Sequence, residues 1–216
     1  MDELATNVLT FAVLGFMGFR LVTGLRRSRT HDGRTLVRDI VRRVRWRHVW
    51  PVPLLLSTVI VVATALVQIP GLSWGWWSML GGNGNPVFGS SDATTGTVWE
   101  WLIPVVFISL LLPALPLFAY AEERMFRSGA ESWQRGKRVL KCVQFGMVHA
   151  LIGIPIGAAM ALSIGGAYFM WVYLRAYRTS RSRRDATLES TAAHTAYNAI
   201  VITLVVLAIV VASAVA

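Results

Sequence analysis

The sequence predicts an all-α protein: a polytopic membrane helix bundle of about six spans, with a polar pocket on its cytoplasmic side. The chain of 216 residues is 55% hydrophobic and only 15% charged. Its mean hydropathy of +0.54 is too high for an ordinary water-soluble domain. All of its Lys and Arg residues fall in or beside a few short segments next to apolar stretches, as expected at the cytoplasmic ends of membrane spans.

The apolar stretches give the predicted spans in chain order. A crossing needs about 20 residues, so the two crossings expected between Cys142 and Leu174 are short, and a first half that re-enters the membrane stays open. The Gly153-Ile154-Pro155 stretch is the expected hairpin. The predicted spans are Leu4–Leu25, Leu54–Ile69, Trp99–Phe126 with kinks at Pro104, Pro113 and Pro116, the two within Cys142–Leu174, and Leu188–Val211.

The basic segments predict the orientation. They are Arg20–Arg47, Arg124–Lys141 and Arg175–Arg184. Placing all three in the cytoplasm requires six crossings and puts both termini outside a cell membrane. This bias explains the net charge of +10, so we do not expect a nucleic-acid partner.

The amino-terminal part, 1–98, is expected to hold the first spans, a basic interfacial helix and an outer loop. Within Arg26–Arg47 the apolar residues Leu36, Val37, Ile40, Val41 and Val44 fall on one helical stripe. This pattern is typical of an amphipathic helix on an anionic inner leaflet. The segment Pro70–Val98 lacks Lys and Arg. Tryptophans flank it and predict an aromatic belt at the outer interface: Trp74, Trp76, Trp77, Trp99 and Trp101.

Polar groups at membrane depth are costly and usually functional. The carboxyl-terminal spans contain Glu122, Glu123, His149, His194 and Asn198. At 1.5 Å per helical residue, the two histidines lie roughly 12 and 15 Å below the nearest cytoplasmic charges. His194 and Asn198 share a helix face because they are four residues apart, and the same spacing lets Glu123 pair with Arg127. These groups could therefore line one pocket.

The pocket has groups suited to peptide hydrolysis, which needs an activated water and donors for the developing oxyanion. Glu122 and His149 could orient and deprotonate water, while His194 and Asn198 could donate to the oxyanion. No cofactor is favoured. A zinc ion held by Glu122, His149 and His194 is chemically reasonable, and the residues alone do not decide between the two arrangements. Cys142 is the single cysteine, so no intrachain disulfide can form.

The three motifs resemble those of the CPBP family of intramembrane proteases, which includes type II CAAX prenyl endopeptidases and Abi proteins. The motifs are Glu122-Glu123 with Arg127, Phe145 with His149, and His194 with Asn198. The resemblance covers roughly 116–205 and implies a catalytic core within 99–216. It implies that Glu122 and His149 act on water and that His194 and Asn198 stabilise the oxyanion. The family has been described both as metal-dependent and as glutamate-type, and we favour the latter because Asn is a poor zinc ligand.

The sequence thus predicts an intramembrane endopeptidase that cleaves a peptide or membrane-protein substrate near the cytoplasmic face. One alternative is a non-catalytic membrane immunity or adaptor protein that retains the pocket for binding. Another is a small transporter with a proton relay, which the absence of an internal repeat disfavours. The motif spacing does not identify the substrate, and nothing in the sequence requires that it be prenylated.

Overall fold

A computed structural model of the chain describes residues 3–75 and 96–215. Those residues form helices and connecting turns, with no strand among them. The α-helices are α1 (Glu3–Arg29), α2 (His31–Arg43), α3 (Trp46–Val49), α4 (Val52–Val67), α5 (Trp99–Leu111), α6 (Leu115–Phe126), α7 (Arg135–Met147), α8 (Ile156–Ser180) and α9 (Arg183–Val215). The all-α prediction is confirmed for this part of the chain.

Three helical segments are long and apolar enough to cross a membrane. They are Trp46–Val67, which joins α3 to α4, then Ile156–Ser180 and Arg183–Ala208. This finding supports a membrane protein. It covers the described residues alone, so the predicted count of six spans is neither confirmed nor excluded. Trp76 and Trp77 of the predicted aromatic belt, and the side chains of Trp99 and Trp101, lie outside what the structure describes.

Helix α8 is the centre of the bundle and packs against α4, α7 and α9. Small residues allow the close approach. A Cβ on Gly146 of α7 would lie 2.3 Å from the Ala159 carbonyl oxygen of α8, and a Cβ on Gly166 would lie 2.8 Å from that of Cys142. Gly146 and Gly166 are therefore packing contacts between α7 and α8.

The breaks between helices follow the local chemistry of the chain. A 3₁₀ turn, Leu112–Ala114, divides the predicted span Trp99–Phe126 at Pro113, and Pro116 sits in the first turn of α6. The expected kink is confirmed there, whereas α5 continues through Pro104. Gly153 adopts φ +96°, which glycine alone adopts readily, and it ends the 3₁₀ stretch Val148–Ile152 before α8 begins.

The predicted hairpin at Gly153-Ile154-Pro155 is confirmed, and its tip meets the chain that follows α4. The Ile156 N–H donates to the Trp74 carbonyl at 3.0 Å, and the Gly157 N–H to the Leu72 carbonyl at 2.8 Å. The tip therefore lies level with the far end of the Trp46–Val67 segment. The leg from Arg135 to Ile152 is not among the segments of the described residues that are long and apolar enough to cross a membrane. The choice between a full crossing and a re-entrant leg therefore stays a prediction.

The basic region Arg26–Arg47 is not one helix, contrary to the sequence prediction. Helix α1 runs on to Arg29, and α2 begins only after Thr30, whose hydroxyl accepts the Gly33 N–H at 3.1 Å as an N-cap. The amphipathic pattern belongs to α2, whose Ile40 is fully buried. This helix packs against α1, α6 and α9, so part of the apolar stripe is covered by protein.

Candidate functional site

The candidate site lies where α6, α7, α8 and α9 meet. Helix α6 contributes Glu122 and Glu123, and α9 contributes Ser190, His194 and Asn198. Residue His149 comes from the 3₁₀ stretch after α7. The site adjoins the main apolar cluster of the protein, which includes Phe126, Phe145, Phe169 and Tyr197.

Glu123 is the most connected polar residue of the site. Its side chain is fully buried, and so is that of its ion-pair partner Arg127, whose Nη1 lies 2.8 Å from Glu123 Oε1. The Nδ1 atom of His194 lies 2.9 Å from the same oxygen. The hydroxyl of Ser190 is bonded to the other oxygen, Oε2. A buried charge needs such partners, so the predicted pairing of Glu123 with Arg127 is confirmed.

The Arg127 guanidinium also faces the aromatic cluster. Its central carbon lies 4.2 Å from the Phe145 ring centroid, within the range of a cation–π contact. Its Nη2 lies 3.4 Å from the Gly166 carbonyl oxygen. Arg127 therefore ties α6 to α7 and α8, in addition to holding the Glu123 carboxylate.

Glu122 has different surroundings from its neighbour. Its side chain is 32% exposed, and its Oε2 lies 3.8 Å from His194 Nε2. That oxygen is buried, and no hydrogen bond reaches it from the described residues. Buried acceptors are nearly always satisfied, and an unsatisfied one calls for an explanation such as a catalytic role. Glu122 is thus the open carboxylate of the pair.

His194 is fixed from three directions. The Phe169 ring stacks on the imidazole at a centroid distance of 4.4 Å, and the Phe145 ring meets it edge-on at 5.4 Å. Because the Glu123 carboxylate is an acceptor, His194 Nδ1 carries the proton of their hydrogen bond. This leaves Nε2, the atom that faces Glu122, as the reactive nitrogen.

In His149, as in His194, Nδ1 donates a hydrogen bond and Nε2 remains free of hydrogen bonds to the described residues. Its Nδ1 lies 2.8 Å from the Phe145 carbonyl oxygen, which can only accept, so Nδ1 is the donor. Its Nε2 is left with a lone pair in the neutral form. The ring also packs against the Phe145 side chain, with centroids 5.2 Å apart. Phe145 therefore contacts both histidines of the site.

The structure brings the predicted residues together to different degrees. Glu122, Glu123, Arg127 and His194 form a connected set through contacts of 3.8 Å or less. His149 and Asn198 do not hydrogen-bond to that set in the described part of the chain. Asn198 is half-buried and lies one helical turn beyond His194. The assigned roles of His149 and Asn198 remain predictions.

The zinc alternative is not supported by the positions of the donors. Within the described residues, no group of three or more His, Cys, Asp or Glu side chains is arranged to hold a metal ion. In particular, Glu122, His149 and His194 do not converge on one point. We therefore derive no chemistry from a metal here.

Two residues of the site, Ser190 and Phe169, were not predicted from the sequence. Ser190 binds Glu123, and Phe169 stacks on His194. Ser190 lies four residues before His194, so helical spacing could have placed both on one face. Glu123 engages Nδ1 of His194, so the predicted donation to an oxyanion would come from Nε2 and stays a prediction.

A second polar cluster ties the turn after α6 to α8 and α9. The Tyr173 hydroxyl donates to Glu131 Oε2 at 2.8 Å and accepts the Gly129 N–H at 3.0 Å. Arg183 binds the other oxygen of Glu131. Burial opposes ionisation of the Glu131 carboxyl, but the bonds from Tyr173 and Arg183 outweigh it and hold its pKa below the usual value. This cluster therefore holds the turn after α6 against α8 and the beginning of α9.

Comparison of the chain with protein-family models, with curated proteins and with solved structures finds no match.

Proposed function

We propose that the protein is an intramembrane endopeptidase of the CPBP type, in which Glu122 activates the water that attacks a peptide bond near the cytoplasmic face. The observation that carries the proposal is the buried Glu122 Oε2, which accepts no hydrogen bond from the described residues and lies 3.8 Å from His194 Nε2. Beside it is a second carboxylate, Glu123, both of whose oxygens are hydrogen-bonded. One carboxylate is free to take a proton, while the other holds the imidazole in place.

The chemistry follows from these roles. The Glu122 carboxylate removes a proton from water as the water oxygen attacks the carbonyl carbon. In its protonated form, His194, whose Nδ1–H is held by Glu123, can donate a hydrogen bond from Nε2–H to the oxyanion. Collapse of the tetrahedral intermediate breaks the C–N bond, and Glu122 returns the proton to the leaving amine. In the neutral form of His149, Nε2 can accept a hydrogen bond from the second O–H group of the water. The side-chain N–H of Asn198 can donate a second hydrogen bond to the oxyanion.

The proposed enzyme is a multi-pass protein of the cell membrane with both termini outside. The candidate spans Trp46–Val67, Ile156–Ser180 and Arg183–Ala208 support a membrane location. Their basic ends, near Arg47, Arg175 and Arg183, lie on one side of the bundle because α8 runs antiparallel to both α4 and α9. The charge bias puts that side in the cytoplasm.

A cleavage assay with a peptide library tests the proposal on full-length protein in proteoliposomes. We expect cleavage by wild type, at least a hundredfold loss with Glu122→Gln, as for other general bases, and wild-type activity with Asp32→Asn. Asp32 is a matched control because it is a fully exposed carboxylate of α2. Cleavage that Glu122→Gln leaves unchanged would exclude the assigned role.

Treatment with a chelator distinguishes a mechanism in which protein side chains hold the water from one in which a metal ion holds it. We expect cleavage to continue after treatment with 1,10-phenanthroline and dialysis. Loss of activity that added zinc restores would instead support the metal alternative.

A non-catalytic immunity or adaptor protein is the second candidate. Within the described residues, neither His149 nor Asn198 hydrogen-bonds to Glu122 or His194, and this favours the second candidate. A site used only for binding does not require all four side chains to converge on one reacting group. This function predicts that Glu122→Gln retains the full biological effect and that no library peptide is cleaved.

A further inference from the structure

A large groove lies apart from the candidate site, at the end of the bundle where the three candidate spans meet. Its volume is about 750 Å³. Its walls are the end of α2, the start of the Trp46–Val67 segment, the last turns of α8 and the first turns of α9. We call it the cationic groove because Arg43, Arg47 and Arg175 line it.

The positive charge of the cationic groove is only partly neutralised. Arg43 pairs with Asp185 at 2.6 Å, and Arg47 pairs with Glu189 at 2.6 Å. Asp185 and Glu189 are the acidic residues among those that line the groove, so two of its three arginines are paired. Arg175 has no acidic partner among the described residues, and its guanidinium carbon lies 5.3 Å from the centroid of the Trp171 ring. The groove therefore keeps an excess cation held against an aromatic face.

Each of the three arginines keeps unused donors. A guanidinium has five N–H donors in a planar fork, and the ion pairs of Arg43 and Arg47 engage only one or two of them. The side chain of Arg47 remains 58% exposed. Arginine donors of this kind suit phosphate oxygens, which they can bind in a bidentate manner.

The lining changes from polar to apolar along α8. Arg175, Thr179 and Ser180 line one end, whereas Tyr168, Trp171 and Val172 line the other. From Tyr168 to Ser180 the helix rises roughly 18 Å. The opposite wall has the same polarity gradient, since Arg43 and Arg47 give way to Trp50 and Pro51. A ligand that fits both ends must have an anionic group at one end and an apolar body at the other.

We propose that the cationic groove binds one anionic glycerophospholipid, with its phosphate between Arg175 and Arg47 and its glycerol and upper acyl chains against Trp171, Tyr168 and Trp50. The groove opens at the shared end of the three candidate spans, the level at which lipid headgroups lie. Its aromatic residues suit the membrane interface. A soluble anion would use the arginines but would leave the apolar half empty. The site does not depend on the proposed protease activity.

Native mass spectrometry of the full-length protein released from detergent tests this site. Phosphatidylglycerol and phosphatidylcholine with the same acyl chains are titrated in parallel. We expect phosphatidylglycerol to bind about fivefold more tightly, as one unneutralised basic residue near an anionic lipid suggests. Equal binding of the two lipids would overturn the proposal.

Two variants on one helix separate a specific site from general attraction. Arg175→Gln removes the unpaired cation of the groove, whereas Arg178→Gln removes an exposed charge of α8 that does not line it. We expect Arg175→Gln to abolish the preference for phosphatidylglycerol and Arg178→Gln to preserve it. Equal loss in the two variants, or no loss in Arg175→Gln, would overturn the assignment.

Two further ligands test the choice of a lipid over other anions. Inorganic phosphate should not displace the bound phosphatidylglycerol, because it gains nothing from the apolar half. A short acidic peptide should not displace it either. Displacement by phosphate would reduce the groove to a phosphate site, and displacement by the peptide would indicate a protein partner; either result would contradict the lipid proposal.

Discussion

Glu122 and Glu123 are adjacent in sequence, yet their side chains have opposite surroundings. Glu123 is fully buried and bound to Arg127, His194 and Ser190, whereas Glu122 is partly exposed and has a buried oxygen that accepts no hydrogen bond from the described part of the chain. Successive residues of a helix point about 100° apart, so α6 can turn one carboxylate into the bundle and leave the other at its edge. The two carboxylates should therefore respond differently to the same substitution.

We expect Glu123→Gln to lower the free energy of unfolding by about 3–5 kcal/mol, because it leaves the Arg127 guanidinium buried without its counter-charge. Glu122→Gln should change it by less than about 0.5 kcal/mol, as for substitutions that break no contact. Reversible unfolding in mixed detergent micelles measures both. Similar losses for the two variants would mean that Glu122 has a structural partner.

The site could be predicted from the sequence as far as residue types and helical spacing allow. The pairing of Glu123 with Arg127 follows from a separation of four residues on one helix. The bonds of Glu123 to His194 and Ser190 join residues about seventy positions apart. Nothing in local spacing states which face of α9 meets α6. The Glu122 oxygen that accepts no hydrogen bond from the described residues results from that packing, which the sequence does not show.

The contact between α7 and α8 depends on glycine at the point of closest approach. A Cβ at position 146 would lie 2.3 Å from a backbone oxygen, and backbone cannot move aside as a flexible side chain can. Gly136 lies on the same helix, and a Cβ there would meet nothing within 4 Å. The two positions form a matched pair.

Gly146→Ala should lower the free energy of unfolding by about 1–3 kcal/mol through overpacking. Gly136→Ala should raise it by up to about 1 kcal/mol, because alanine is the better helix former. Thermal unfolding in detergent measures both shifts. A neutral Gly146→Ala would show that α7 and α8 can separate without cost.

Helix boundaries could be predicted where glycine or proline marks them. The breaks at Pro113 and at Gly153-Ile154-Pro155 were expected, because these residues alter the backbone wherever they occur. The break at Thr30 was not expected, since basic residues continue on both sides and the cap is a single hydroxyl. The amphipathic stripe of α2 indicated a membrane surface, yet Asp185 and Glu189 of α9 draw Arg43 and Arg47 toward the bundle.

The Glu131 cluster should contribute to the loss of the free energy of unfolding at low pH. The pKa of Glu131 is lower in the folded protein than its ordinary value of about 4.3. Its contribution to stability is therefore complete above the ordinary pKa and is lost as the pH falls through the lowered value. Between pH 5 and 3, the unfolding free energy of wild type should fall more steeply than that of Glu131→Gln. Parallel curves would show that the cluster does not link protonation to folding.

The orientation of the bundle is also testable. Single cysteines are introduced at Ser28, Ser132 and Ser180 in a Cys142→Ser background, one beside each basic segment. In intact cells, an impermeant maleimide should label none of them, and all should react once the membrane is opened. Labelling of one position from outside would overturn the six-span arrangement.

The 3₁₀ stretch Val148–Ile152 has a consequence for the thickness of the surrounding bilayer. A 3₁₀ helix rises about 2.0 Å per residue against 1.5 Å for an α-helix, so the apolar run from Cys142 to Ile152 is roughly 19 Å tall. A hydrocarbon layer is about 30 Å thick. If this leg crosses the bilayer, the lipids beside it should be compressed. Water would then reach His149 by a shorter path, and short-chain lipids should favour the proposed cleavage.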